Sequence, residues 1–359
     1  MTTVFQTKRQ RLLIGGLALL ALVFAFGCGG GDGKGNGDRF EVTVQLDWTP
    51  NTNHIGVYVA LAKGWYDEAG IDVEILPYTD VNPDTIVSNG NADIGFSFPA
   101  NVIFSRAQDL YLYSVAAVLQ RNPTELAVLD SSSIKRPRDF DGHTYAGFGL
   151  PYEEPQIKTV VIADGGKGDF DVATLSTAAY EALYEKRADF TEIFTTWEGI
   201  EAELRGIKLR TFRYSDYGVP DFPGVVLVAN WDSLRGEKAD QIAKFLQVTR
   251  RGYEYAAQNP DAAAQEFIDY LPKGTFPEPE LVIQSTRKLA SYFVEPGERW
   301  GQQDPAQYKA YVGWMLAQGL VRDFRNNPIK TEADIPGGAL FRNELLDCEP
   351  PDCVRLSSE

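Results

Sequence analysis

The chain has 359 residues and 44% hydrophobic content, which is enough for a large core and is compatible with two domains. It carries 34 Lys and Arg against 50 Asp and Glu, which gives a net charge of −16. So acidic a chain is a poor match for nucleic acid, because binding to phosphates requires a basic surface. We therefore expect an acidic surface and no nucleic-acid partner.

The amino-terminal segment is predicted to be a signal peptide. Three cations precede an apolar run, residues 12–26, which is shorter than the roughly 20 residues that a membrane-spanning helix needs. A glycine and a cysteine close the run, as in the lipobox of a bacterial lipoprotein. We therefore predict that residues 1–27 are removed and that Cys28 carries the lipid. An ordinary signal peptide or an anchor helix is the alternative.

A glycine-rich stretch, residues 28–39, follows the predicted cleavage site. Its composition is typical of a flexible tether. Stable anchoring to a membrane takes at least two acyl chains, which a diacylated Cys28 would supply. The sequence thus predicts a lipid-anchored protein of the cell membrane whose folded part is extracytoplasmic.

The two remaining cysteines, Cys348 and Cys353, lie close together near the carboxyl end. In an exported protein such a pair is expected to form a small disulfide loop. A metal site is the alternative, but its ligands would be scarce because the chain has only two histidines, His54 and His143. We expect no bound metal and no cofactor.

From Phe40 onward, strand-like and helical segments alternate. Strands are predicted at 41–46, 71–76, 92–98 and 110–118, with helices over about 53–69, over 82–89 and from Pro99 onward. This β-α-β-α-β-α-β order predicts a parallel sheet flanked by helices.

The pattern changes near residue 120, where 124–129 is interpreted as a connecting strand. A second unit follows, with strands predicted at 145–148, 187–194 and 209–213 and helices at 155–162, 176–184 and 199–205. A buried strand at 225–230 would return the chain to the first unit. Amphipathic helices are then predicted at 237–257, 260–271, 278–292 and 304–318, and residues beyond Phe324 are interpreted as loop.

These elements predict an α/β fold of two parallel-sheet lobes with a ligand cleft and a C-terminal helical segment. The predicted domains are lobe 1 (40–122 and 226–325), lobe 2 (123–225) and a C-terminal tail (326–359). Two lobes that are joined by two crossovers can close on a small ligand by hinge motion.

A cluster of polar and aromatic residues follows the first predicted strand. It lies beyond the carboxyl end of that strand and at the amino end of the next helix, where α/β proteins place ligands. We predict that six of its side chains bind ligand: Asp47, Trp48, Asn51, Asn53, His54 and Tyr58.

This stretch resembles the thiamine-pyrimidine-precursor binding family, which includes binding proteins of ABC importers and the fungal-type pyrimidine synthases. The resemblance extends over about residues 40–320. The matching stretches are Asp47–His54, Gly56–Ala60, Gly64–Tyr66, Gly90–Ser97 and Thr196–Glu201. The resemblance implies a type II periplasmic-binding-protein fold. It also implies a planar heteroaromatic ligand, which is a formylamino- or hydroxymethylpyrimidine or, in a flavin-importing branch, riboflavin.

Side chains elsewhere in the chain fit such a ligand. Aromatic faces can stack on a flat ring, and acidic oxygens can accept its N–H groups. The further predicted ligand-binding residues are Ser97, Phe148, Tyr152, Glu153, Glu154, Trp197 and Glu198. Tyr214 and Tyr217 are candidates for the hinge or the cleft. For each aromatic residue a packing role is the alternative, and for His54 the alternative is helix capping.

We expect a monomeric binding lipoprotein that delivers its ligand to the permease and ATPase subunits of an ABC importer. Riboflavin is slightly preferred over a thiamine-precursor pyrimidine, because the turn from Phe148 to Tyr152 adds aromatic area. A sensor or adhesive lipoprotein is a further alternative. A sulfonate or nitrate binder would instead favour Arg, Ser and Thr around an anion.

An enzyme is not expected. The synthase branch of the family consumes its own histidine, which His54 matches, but it also has a cysteine-rich iron-binding motif. No cysteine lies between Cys28 and Cys348. A serine hydrolase is excluded because the chain has no Gly-x-Ser-x-Gly motif.

Overall fold

The computed structural model describes residues 39–79 and 81–348. The predicted signal peptide, Cys28 and Cys353 lie outside these residues. The strands are β1 (Phe40–Gln45), β2 (Ile71–Leu76), β3 (Ile94–Ser97), β4 (Leu112–Ala117), β5 (Thr124–Leu129), β6 (Thr144–Gly147), β7 (Asp171–Thr174), β8 (Phe190–Phe194), β9 (Leu209–Arg213) and β10 (Val226–Asn230). The helices are α1 (Ile55–Ala62), α2 (Trp65–Glu68), α3 (Pro83–Ser88), α4 (Pro99–Ala107), α5 (Glu153–Ala163), α6 (Ala179–Tyr184), α7 (Glu198–Leu204), α8 (Gly236–Gln258), α9 (Pro260–Tyr270), α10 (Pro279–Phe293), α11 (Pro305–Ala317) and α12 (Glu344–Asp347).

The strands form two five-stranded sheets. The first sheet has the order β2-β1-β3-β10-β4, and the second has the order β7-β6-β8-β5-β9. In the first sheet β1 is parallel to β2 and β3, whereas β10 is antiparallel to β3 and β4. In the second sheet β6 is parallel to β7 and β8, whereas β5 is antiparallel to β8 and β9.

Both sheets are therefore mixed, whereas the sequence predicted parallel-sheet lobes and did not assign the direction of β5 and β10. The antiparallel strand of each sheet, β10 in the first and β5 in the second, is the one that follows a strand of the other sheet in the chain. It enters at the end of the sheet where the parallel strands have their carboxyl ends, so it has to run in the opposite direction. The carboxyl ends of β1, β3, β6 and β8 remain free to carry ligand-binding loops, as in other α/β proteins.

Three local details differ from the predicted elements. The predicted helix over 53–69 is broken by Gly64, which has φ +68° and separates α1 from α2. Strand β7 was missed because its residues are mostly exposed at a sheet edge and show no apolar alternation. The tail beyond Phe324 is not a simple loop, because it contains α12, whose Leu345 and Leu346 are buried in the core.

A buried arginine attaches this tail to the first sheet. Arg106 of α4 is fully buried and lies over the ring of Tyr113, at 4.3 Å from its centroid. Its guanidinium donates hydrogen bonds to the carbonyl oxygens of Leu112, Pro336, Gly338 and Ala339. The planar fork of arginine can satisfy several such carbonyls at once, which a lysine cannot.

Helix α11 packs against residues that follow strands of the second sheet. Its Tyr311 stacks on Phe222 at 3.9 Å and accepts a hydrogen bond of 3.2 Å from Gln156 Nε2 of α5.

None of the helices within 39–79 and 81–348 has the length and apolar character needed to cross a membrane.

Candidate functional site

The turn after β1 is held together by Asp47 and His54. His54 is fully buried, and its Nε2 lies 2.7 Å from Asp47 Oδ1. Its Nδ1 accepts a hydrogen bond from the backbone N–H of Asn51. Nε2 therefore carries the hydrogen and donates it to Asp47. Both ring nitrogens of His54 are thus occupied within the protein, and Asp47 serves as its partner.

The two asparagines of this turn have structural contacts. The Asn51 side chain accepts a hydrogen bond of 2.9 Å from the backbone N–H of Asn53 and caps the short helical turn Thr52–His54. The backbone carbonyl of Asn53 accepts a hydrogen bond of 2.6 Å from Tyr253 Oη of α8. These contacts fix the turn to the helix behind it.

The aromatic residues Trp48 and Tyr58 have different neighbours. Trp48 is 40% exposed and leans on Tyr78, with ring centroids 4.9 Å apart. Tyr58 is buried beside Phe267 and Tyr270 of α9, and burial raises its pKa to about 12. Trp48 is thus the more exposed of the two rings.

An apolar pocket of about 470 Å³ adjoins this turn. Its volume lies within the range of small-molecule sites. It is lined by Leu46, Thr49, Pro50, Tyr58, Leu61, Val73, Ile75, Pro77, Tyr78, Tyr270 and Leu271. Another pocket, of about 390 Å³, lies beside Pro336 of the tail and contains none of the predicted site residues.

The two sheets meet where β3 and β8 end. Phe98, which follows β3, lies 6.3 Å from Phe194 at the end of β8. Lys288 Nζ of α10 donates a 2.8 Å hydrogen bond to the carbonyl oxygen of Thr195. Trp197 is half-buried, with its ring 6.5 Å from that of Phe276. The predicted Trp197 therefore lies between the second sheet and helices that pack on the first.

Ser97 ends β3 beside a buried carboxyl group that the sequence reading missed. Asp84 of α3 is 1% exposed and accepts a hydrogen bond from Ser105 Oγ. Burial raises the pKa of Asp84 to about 6, and the hydroxyls of Ser97 and Ser105 oppose that rise. Ser97 Oγ is buried and makes no hydrogen bond of standard geometry with the described residues.

Glu153 and Glu154, which are adjacent in sequence, have different surroundings. The Glu153 carboxyl is buried and accepts hydrogen bonds from the backbone N–H groups of Phe148 and Gly149, so it holds the turn after β6. Glu154 is exposed and pairs with Lys158 at 2.5 Å. The Phe148 ring lies 5.6 Å from Tyr180, and Tyr152 stacks on Phe104 at 6.4 Å.

Glu198 repeats this arrangement after β8. Its Oε2 accepts a 3.0 Å hydrogen bond from the backbone N–H of Phe194. Burial raises the pKa of Glu198 to about 7, although part of its side chain remains accessible. Each of the two strands β6 and β8 is therefore followed by a helix whose first residue, Glu153 or Glu198, closes the turn.

A further acidic residue, Glu192, lies within β8 and was not predicted. Its Oε2 accepts a 2.5 Å hydrogen bond from Tyr214 Oη. Burial raises its pKa to about 7, and the neighbouring carboxyls of Glu153 and Glu198 add to that rise. A sequence feature does mark it, since Phe190, Glu192 and Phe194 alternate on one strand face and a charge therefore stands at an apolar position.

Two further points concern the predicted disulfide and metal binding. Cys348 is disulfide-bonded, and its predicted partner Cys353 lies beyond the described residues. No group of three or more His, Cys, Asp or Glu that could hold a metal ion occurs in the part of the chain that the structure describes.

Comparison with known proteins supports the fold and the family. A ligand-binding component of an ABC-type import system from Staphylococcus aureus superposes with a TM-score of 0.62 and 13% identity, covering 88% of this chain and 99% of its own. This likeness confirms the predicted type II periplasmic-binding-protein fold.

Two relatives are similar in sequence. A formylaminopyrimidine-binding protein from Halalkalibacterium halodurans is 29% identical, over 81% of this chain and 88% of its own length. A 4-amino-5-hydroxymethyl-2-methylpyrimidine phosphate synthase from Saccharomyces cerevisiae is 23% identical, over 65% of this chain and 72% of its own. A family model described as "NMT1/THI5 like" matches residues 51–263, which is more than half of the chain. The chain therefore belongs to the NMT1/THI5-like family.

Proposed function

We propose that this chain is the substrate-binding protein of an ABC importer and that it binds a thiamine-precursor pyrimidine. The observation that carries the proposal is the junction of the two sheets, where aromatic and acidic side chains, Phe98, Phe194, Trp197 and Glu198, lie between strand ends. Aromatic faces bind a flat ring, and acidic oxygens accept its N–H groups.

An aminopyrimidine is favoured over riboflavin, which the sequence alone had slightly preferred. The similar protein from Halalkalibacterium halodurans is named for a formylaminopyrimidine. Binding is favoured over synthesis because the chain has no cysteine-rich iron-binding motif. In addition, both nitrogens of His54 are engaged within the protein, so His54 is better suited to support the site than to react.

The anchor and the partners complete the proposal. Cys28 is lipidated, the folded part is an extracytoplasmic monomer, and it delivers ligand to a permease and an ATPase. Cell fractionation tests the anchor, because Cys28→Ala should move the protein from the membrane fraction to the soluble one. Retention of Cys28→Ala in membranes would contradict lipid anchoring at this residue.

Calorimetric titration of the purified protein tests the ligand. We expect one-to-one binding of 4-amino-5-hydroxymethyl-2-methylpyrimidine and weaker or no binding of riboflavin. Trp197→Ala and Trp48→Ala should each weaken binding by about 1 kcal/mol if the indoles stack on the ring. Phe324→Ala is a suitable control, because Phe324 is 58% exposed and lies beside the tail pocket, away from this site. Binding of an aliphatic sulfonate, with no response to either ring, would overturn the proposal.

A further inference from the structure

We propose that Glu192 recognises the edge of an aminopyrimidine at which a ring nitrogen stands beside an amino group, and that Tyr214 sets the orientation of the Glu192 carboxyl. This inference rests on the proposed function and specifies how the ligand is selected. Glu192 is not among the residues that the sequence predicted to bind ligand, and Tyr214 was predicted only as a candidate for the hinge or the cleft.

Most of the predicted acidic acceptors already have partners within the protein. Among the predicted acceptors, Asp47 is paired with His54, Glu154 with Lys158, and Glu153 with backbone N–H groups. Glu198 Oε2 accepts the N–H of Phe194, and the Tyr180 hydroxyl interacts with the same carboxyl. Glu192 has a partner in the described residues at Oε2 only, and part of its side chain stays accessible. Its Oε1 thus has no hydrogen-bond partner among the described residues.

Glu192 lies close to the junction of the two sheets. Strand β8 is the central strand of the second sheet, and alternation places Glu192 on the same face as Phe194. Phe194 touches Phe98 at the junction of the two sheets. Glu192 thus lies two residues before Phe194, on the face of β8 that carries the contact at the junction.

The surroundings of Glu192 are rich in tyrosine and acidic side chains. The titratable groups that face Glu192 are Tyr214 after β9, Glu153 of α5, Glu198 of α7, Tyr145 of β6, Tyr152 before α5, Tyr180 of α6 and Tyr311 of α11. All of these are neutral or acidic. Burial among them raises the pKa of Glu192 to about 7, so the carboxyl holds its proton for much of the time at neutral pH.

A carboxyl group in that state matches an aminopyrimidine edge. Tyr214 donates to Oε2, which makes Oε2 the carbonyl-like oxygen and leaves the proton on Oε1. Oε1–H can then donate to the ring nitrogen while Oε2 accepts from the amino group. The complex contains one proton between Oε1 and the ring nitrogen, whichever atom it resides on. Tyr145 Oη, which is buried without a partner in the described residues, lies nearby as a further donor.

This proton count predicts a distinctive pH dependence. Above the pKa of Glu192 the complex must take up a proton, and below the pKa of the ring nitrogen it must release one. Affinity for the aminopyrimidine should therefore be highest between the two pKa values and should fall about tenfold per pH unit above pH 7. An imide edge such as that of riboflavin also needs the protonated carboxyl, but its affinity should stay flat toward acid.

The test is calorimetric titration of the purified protein with 4-amino-5-hydroxymethyl-2-methylpyrimidine and with riboflavin from pH 5 to pH 9. A glutamine can donate and accept as the protonated carboxyl does, so Glu192→Gln should keep the pH 6.5 affinity within about threefold and abolish the fall above pH 7. Glu192→Met should lose at least about tenfold at pH 6.5. Tyr214→Phe should shift the pH at which the affinity falls. Glu203→Gln, a change at an exposed position of α7, should alter neither the affinity at pH 6.5 nor its fall above pH 7.

Survival of the alkaline fall in Glu192→Gln, or wild-type affinity in Glu192→Met, would overturn the role of Glu192 while leaving the proposed function intact. If the affinity for the aminopyrimidine did not fall toward acidic pH, the assignment of the ring edge would be overturned. Failure of both rings to bind the wild-type protein would overturn the proposed function and this inference with it. Thermal unfolding of each variant identifies any loss of binding that comes from loss of fold.

Discussion

The helix crossing behind the 47–54 turn makes a strong prediction about stability. Helix α1 crosses α8 where Gly56 meets Gly252. A Cβ added at Gly252 would lie 1.9 Å from the carbonyl oxygen of Gly56, whereas the contacts of real Cβ atoms are essentially never shorter than 3.0 Å. Because the obstacle is backbone, no side chain can move aside, and the two helices have to separate by about 1 Å.

We expect Gly252→Ala to lower the free energy of unfolding by about 3 kcal/mol or more, at or above the upper end of the usual range for overpacked cores. The displaced helix α1 carries the turn in which Tyr253 binds Asn53, so ligand affinity should fall as well. Urea denaturation followed by tryptophan fluorescence measures the first effect, and titration of the ligand measures the second.

Gly313→Ala is the matched control. Gly313 lies within α11, and a Cβ there would meet nothing within 4 Å. Alanine is a better helix former than glycine, so this variant should be as stable as the wild type or up to about 1 kcal/mol more stable. If Gly252→Ala unfolded at the wild-type urea concentration, the close approach of α1 and α8 would be refuted.

Two further predictions concern stability. The pKa values of Glu192 and Glu198 are raised from 4.5 to about 7, so their protonated forms stabilise the fold below about pH 4.5 and this stabilisation is lost as the pH rises through 7. Urea titrations between pH 5 and pH 8 should therefore show the free energy of unfolding falling with pH. The fall should be smaller in the double variant Glu192→Gln, Glu198→Gln. Arg106→Lys should cost about 2 kcal/mol or more, because four carbonyl oxygens lose their fork-shaped donor and the Arg106 site is fully buried. It should also speed hydrogen exchange in residues 329–341, whereas exposed Arg325→Lys should do neither.

Much of the fold follows from local sequence patterns. Strand β2 alternates polar and apolar residues, and α8 and α10 repeat apolar residues at helical spacing, so each could be located without tertiary information. The family resemblance followed from short motifs such as Asp47–His54. The direction of β5 and β10 could not be predicted this way, because strand direction depends on which sheet edge the chain enters and not on the strand's own residues.

The candidate site, like the fold, could be predicted from the sequence only in part. The sequence by itself determined which stretches carry the chemistry, since polar and aromatic residues after β1 and β8 stand where α/β proteins place ligands. Only the tertiary structure decided which of these groups are already engaged, because His54 and Asp47 satisfy each other and Glu153 and Glu198 satisfy nearby N–H groups. It also brought Tyr214 to Glu192, a contact between strands that no spacing in the sequence encodes, because a buried carboxyl acquires its partner and its raised pKa from residues distant along the chain.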